Sequence, residues 1–128
     1  MVRQRVPPTR VLVIDDNAGA RDILTRFLEP EGFTVVTATN GRDALRQLRS
    51  EPLPNLILLD LVMPIMTGME FLAERQQDPS LAAIPVVVLS GVSDFEREAA
   101  KFGVAAYLEK PLDPDDLVEK VLEMIKGY

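Results

Sequence analysis

The chain is expected to fold as an α/β domain around a five-stranded parallel sheet, and three observations carry that expectation. Five short β-like runs, RVLVID, FTVVTA, NLILLD, IPVVVLS and VAAYL, alternate with stretches of helical periodicity, as in a sheet whose strands are joined by helical crossovers. Two runs, VLVI and LILL, are unbroken apolar segments, as strands covered on both faces should be. The length of 128 residues, with 47% apolar and 27% charged, suits one domain with its own core.

Residues 1–9 read as an N-terminal arm and 10–128 as the domain. The first run is a central strand. Behind it, Ile23, Leu24, Phe27 and Leu28 form one helical stripe that Pro30 and Gly32 end. FTVVTA interleaves threonines, as an edge strand does. Asn40 is a good N-cap for the second helix, whose stripe is Ala44, Leu45 and Leu48, with Pro52 beyond its end. NLILLD is the second central strand. Met69, Leu72 and Ala73 mark a third helix before Pro79. After IPVVVLS, the fourth helix carries Phe95, Ala99 and Phe102 on one side and closes at Gly103. VAAYL leads to the fifth helix, where Asp113 caps, Pro114 takes the first helical position, and Leu117, Val121 and Ile125 face inward.

Composition removes several function classes. Lys and Arg number 14 against 20 Asp and Glu, for a net charge of −6, which argues against direct nucleic acid binding. No segment approaches membrane-spanning length, and the apolar run near the start is too short for a signal peptide. The absence of cysteine excludes disulfides and thiolate chemistry and fits a cytoplasmic protein. There is no histidine either, so an imidazole needed in the chemistry must belong to a partner.

The acids fall at strand ends. In an open α/β sheet, ligands sit beyond the carboxyl ends of the strands where strand order reverses. With order 2-1-3-4-5, Asp15 and Asp16 at the end of strand one would meet Asp60 at the end of strand three. Like charges so close repel unless a cation or protons intervene, and a hard divalent cation is the natural answer, since oxygen ligands with retained water suit Mg2+. Ser90 at the end of strand four offers a hydroxyl, and Lys110 follows strand five. Three negative charges, two positive from the metal and one from Lys110 sum to about zero, leaving metal and lysine placed to hold a phosphoryl group.

In this order and spacing, Asp15-Asp16, Asp60 with Met63-Pro64 and Gly68, Ser90-Gly91, Tyr107 and Lys110-Pro111 resemble the receiver domain of two-component response regulators. The resemblance spans residues 10 to 126. It implies a flavodoxin-like three-layer sandwich and a phosphoacceptor switch rather than a turnover enzyme. Asp60 would take a phosphoryl group from a phosphohistidine on a histidine kinase or histidine phosphotransfer protein. Asp16 would bind Mg2+ directly and Asp15 partly through water, with Asp60 and the Val62 carbonyl completing the protein ligands. Ser90 and Tyr107 would then move, changing the face made by the fourth helix, fifth strand and fifth helix. Output would pass to a downstream protein target, with phosphorylation-dependent dimerisation among the forms open to it. The Lys110-Pro111 bond is expected to be cis, as the family's usually is.

Thr67, where the family commonly has an acid, is expected to alter the local loop, and Gly91, replacing the usual alanine, to loosen its own. Val62 and Val92 are apolar where many relatives orient water, which implies slow self-hydrolysis. Three rival readings differ in kind. A haloacid-dehalogenase-type phosphatase would carry a second aspartate two residues after Asp60, where this chain has Val62. A degenerate receiver would act as a phosphorylation-independent binding module, against the full set of acids and Lys110. A nucleotide- or flavin-binding domain would need a glycine-rich loop after strand one, and VLVIDDNAGARD has one glycine.

Overall fold

The computed structural model describes residues 9–50, 52–61, 66–90 and 99–126, apart from the side chains of Ser90 and Lys126. Five parallel strands, β1 (Arg10–Ile14), β2 (Thr34–Ala38), β3 (Leu56–Asp60), β4 (Val86–Ser90) and β5 (Ala106–Glu109), form one sheet in the order β2-β1-β3-β4-β5. This is the expected flavodoxin-like order. β3 is buried throughout and β1 along four of its five residues, whereas β2 and β5 are largely half-exposed. Continuous apolar runs thus mark the covered strands and mixed ones the edges.

Side chains alternate between the two faces of a strand, and here they feed two separate cores. Leu12, Ile14, Ile57, Leu59, Val86 and Val88 pack on one side with Ala44, Leu45, Leu48, Phe71 and Leu72 from α2 (Gly41–Ser50) and α3 (Gly68–Gln76). Val11, Val13, Leu56, Leu58, Val87 and Leu89 pack on the other with Leu24, Leu28, Leu117 and Val121. Those four come from α1 (Ala18–Leu28) and the C-terminal helix α5 (Pro114–Lys126); a one-turn helix, α4 (Pro79–Ala82), precedes β4.

The expected caps are present. Asn40 Oδ1 accepts the Asp43 N–H at 2.8 Å at the start of α2. Asp113 accepts from Asp115 and Asp116 at the start of α5. Gly32 and Gly103 have φ of 99° and 73°, the left-handed conformation that closes a helical segment. The helix expected before β5 is described only from Ala99, which is buried; Phe95 lies outside the described residues, as do residues 1–8 and 127–128.

Two helices differ from the sequence reading. In α1, Leu24 and Leu28 are buried but Ile23 is 49% exposed, at the edge of the stripe. In α3 the buried face is Phe71, Leu72 and Arg75 rather than Met69, Leu72 and Ala73. Arg75, 2% exposed, donates to the carbonyls of Phe102 (3.1 Å), Ala82 (2.9 Å) and Ile84 (2.8 Å). Two of these acceptors lie at helix C-termini, where carbonyls lack intrahelical partners and a cation is favourable. Burial lowers the pKa of this guanidinium below its usual value.

Candidate functional site

Register brings the acids together. Ile14 pairs with Leu59 across β1 and β3, so one residue further Asp15 stands beside Asp60. Alternation then aims them alike: Asp15 continues the Val11–Val13 row, Asp60 the Leu56–Leu58 row and Lys110 the Ala106–Leu108 row, all on the α1/α5 side of the sheet. Carboxylate oxygens of Asp15, Asp16 and Asp60 lie within 4.8 Å of one another. Lys110 Nζ is 3.7 Å from Asp15 Oδ2 and 3.7 Å from Asp60 Oδ1, bridging the two strand ends.

The three acids are not equivalent. Asp15 is 2% exposed and Asp60 9%, while Asp16 is open to solvent. Asp15 Oδ1 accepts the Asn17 N–H at 2.9 Å, but Oδ2 is buried without a hydrogen bond. A buried carboxylate oxygen left so is costly unless a cation satisfies it. Capping of α1 does not employ the acids, because Asn17 supplies the cap by accepting the Ala20 N–H at 2.9 Å. An all-oxygen set, one of whose buried oxygens accepts no hydrogen bond and meets only Lys110 Nζ at 3.7 Å, fits a hard divalent cation such as Mg2+.

Behind Asp60 the chain passes very close to itself. Gly68 donates its N–H to the Leu61 carbonyl at 2.9 Å, and a Cβ there would stand 2.5 Å from Leu61 Cα and 2.8 Å from the Asp60 carbonyl oxygen. Thr67 begins α3 in a capping box, accepting from Glu70 N at 3.2 Å while Glu70 Oε1 accepts from Thr67 N at 2.9 Å. The altered residue at this place therefore acts as a helix start.

Of the other expected site residues, Ser90 ends β4 paired in register with Glu109, one strand from Asp60. Tyr107 is half-buried and packs against the α2/α3-side core. The Lys110-Pro111 bond is cis, as expected. The Val62 carbonyl, Met63, Pro64, Gly91 and Val92 lie outside the described residues.

Sequence reasoning missed two features here. Arg21 Nη1 donates to the Asp15 carbonyl at 2.7 Å; its signal was an arginine one turn into the helix that follows the acid pair. An open groove of about 380 Å3 runs beside the acids between α1 and the segment after β5, lined by Asp15, Ala20, Ile23, Leu24, Phe27, Lys110, Pro111 and Leu112. Exposed Ile23 is part of its wall.

The chain is similar to several known proteins. It is 37% identical over 120 residues to a 14.6 kDa protein in the sodA1 3′ region of Leptolyngbya boryana, covering 92% of this chain and 91% of that one. It is 35% identical over 113 residues to the response regulator Rre1 of Synechocystis, covering 86% of this chain but 48% of Rre1, so it spans about half of that relative. Its fold superposes on the response regulator TrrA of Thermotoga maritima, solved in complex with Mg2+-BeF, with a TM-score of 0.80 and 30% identity over 91% of this chain and 98% of that one. Residues 11–122 match the family described as the response regulator receiver domain. With the strand order and the acids at the sheet edge already in place, this chain belongs to the receiver domain family of two-component response regulators.

Proposed function

We propose that this receiver is a Mg2+-dependent phosphoacceptor switch in which Asp60 takes a phosphoryl group from a phosphohistidine on a separate kinase or phosphotransfer protein. The observation that carries this reading is the convergence of Asp15, Asp16, Asp60 and Lys110 at one sheet edge, with a buried Asp15 oxygen that accepts no hydrogen bond. Phosphoryl transfer asks mainly for positioning and charge neutralisation.

A carboxylate oxygen of Asp60 attacks phosphorus as the phosphorus–nitrogen bond to the donor imidazole breaks, and the imidazole nitrogen leaves with the electron pair. The product is an acyl phosphate on Asp60. Rigid β3 holds this nucleophile at the rim, and its low exposure keeps it poorly hydrated before attack. Lys110, already between Asp15 and Asp60, offsets charge on the phosphoryl oxygens. Asp15, Asp16, Asp60 and the Val62 carbonyl would hold Mg2+, which when bound supplies the remaining neutralisation. These 128 residues contain no histidine, so the donor imidazole lies outside them, and the apolar groove beside the acids suits a partner helix that presents one.

Ser90 and Tyr107 are the proposed relay. Tyr107, half-buried on an edge strand, has both solvent and core within reach, and coupling through such a residue is typically about 1–3 kcal/mol. The output is a protein target in the cytoplasm. Slow self-hydrolysis is attributed to apolar Val62 and Val92.

Intact mass after treatment with Mg2+ and acetyl phosphate tests the reading. The wild-type chain should gain one phosphoryl group, and Asp60→Asn should gain none. No gain in wild type would favour a phosphorylation-independent binding module.

A further inference from the structure

We propose that Arg21 is a positioning residue for the cation site, holding the peptide that joins Asp15 to Asp16 and, through it, the carboxylate of Asp16. The inference rests on the Mg2+ site proposed above and adds a residue to its support. Arg21 Nη1 donates to the Asp15 carbonyl at 2.7 Å, the short end of the range for a charge-assisted hydrogen bond. Among the described residues Arg21 forms no ion pair, although its neighbour Asp22 pairs with Arg26 on the same helix. In a chain of 20 acids, this cation is committed to a backbone carbonyl inside the acidic loop.

The rest of that loop is fastened on every side but one. Asp15 N–H donates to the Ala38 carbonyl at 3.1 Å, and Asn17 N–H to Asp15 Oδ1 at 2.9 Å. Arg21 is itself set in α1, its N–H donating to the Asn17 carbonyl at 3.1 Å and its carbonyl accepting from Thr25 Oγ1 at 2.8 Å. Within that loop, Asp16 has a side chain without a hydrogen bond or ion pair among the described residues. Its carboxylate is aimed only by the orientation of its backbone, and the guanidinium grips the carbonyl of the peptide on its N-terminal side.

Two roles for Arg21 predict opposite signs. As a mere neighbouring positive charge it would repel a divalent cation, and its removal would tighten Mg2+ binding. As a positioning group, its removal lets the Asp15–Asp16 peptide turn and weakens binding, about tenfold or more for partners that orient metal ligands.

The test is Mg2+ titration of the full chain followed by amide NMR shifts, with thermal unfolding of each variant recorded without metal. Arg21→Met and Arg21→Gln should both bind Mg2+ about tenfold more weakly, with the largest shift changes at Asp16 and Asn17. Arg21→Lys, which restores a charged donor, should lie between them and wild type. Two neutral variants are used so that misfolding of one leaves the other decisive. Unchanged or tighter binding in a folded neutral variant overturns the inference, while the proposed function stands if wild type binds and Asp16→Asn does not. If wild type fails to bind, or Asp16→Asn binds equally well, the Mg2+ site falls and this inference with it.

Discussion

Gly68→Ala sets two effects of a single methyl group against each other. Alanine at a helical position is favoured over glycine by about 0.5–1 kcal/mol. The new Cβ, however, would sit 2.5 Å from Leu61 Cα and 2.8 Å from the Asp60 carbonyl oxygen, where ordinary contact is about 3.5–4 Å. Both obstacles are backbone, so the start of α3 and the end of β3 must separate by about 1 Å. That strains the Gly68–Leu61 hydrogen bond of 2.9 Å and adds an overpacking cost of about 1–3 kcal/mol. The clash wins, with a net loss of about 2 kcal/mol. With an unfolding entropy of about 2.1 cal/mol/K per residue, a loss of that size lowers Tm by about 7 °C in a chain of this length. Thermal unfolding by circular dichroism measures it, and acetyl phosphate uptake should slow because Asp60 is displaced. Gly41→Ala is the comparator: its Cβ would meet mostly the Met66 side chain, which can move aside, so its loss should stay under about 1 kcal/mol. A Tm for Gly68→Ala equal to or above wild type would refute the reasoning.

Further outcomes follow from the caps and the buried cation. Arg75→Met removes the donors to three carbonyls and should cost about 2–4 kcal/mol in denaturant unfolding; a loss below about 1 kcal/mol would show those carbonyls to be satisfied otherwise. Asn17→Ala should cost about 1 kcal/mol by loss of the α1 cap, and an unchanged denaturation midpoint would contradict it. Burial alone would raise the Asp43 carboxyl, but the Thr39 N–H, the Arg46 guanidinium and Gln47 together hold it below its usual value. A depressed folded pKa gives stability that is present above the unfolded value of about 3.9 and is lost as pH falls through the folded one. The stability gap between wild type and Asp43→Asn should therefore close under strong acid, and a gap independent of pH would contradict the assignment.

Much of this was legible in the sequence because strands and strand ends are written locally. VLVI and LILL announced covered strands, and an acid closing each apolar run marked the rim. Alternation within β1, β3 and β5 is what makes Asp15, Asp60 and Lys110 face one way. Helical faces were less legible. Arg75 fell outside the expected stripe of its helix, because its burial depends on carbonyls of Ala82, Ile84 and Phe102 that come together only in the folded chain. Ile23 matched the apolar stripe of α1, but periodicity cannot tell whether the edge of a stripe is covered, and here it borders an open groove. Arg21 escaped notice for the same reason as Arg75: its partner is a backbone carbonyl, which leaves no mark in side-chain patterning.

The central claim is that Asp60, among three clustered carboxylates, is the one that becomes an acyl phosphate. Borohydride reduces an acyl phosphate to an alcohol, turning the modified aspartate into homoserine, and peptide mass spectrometry then locates it. After incubation with Mg2+ and a phosphodonor, the account predicts homoserine at position 60 and none when Mg2+ is withheld. Homoserine at position 15 or 16, or none anywhere in a chain that binds Mg2+, would contradict it.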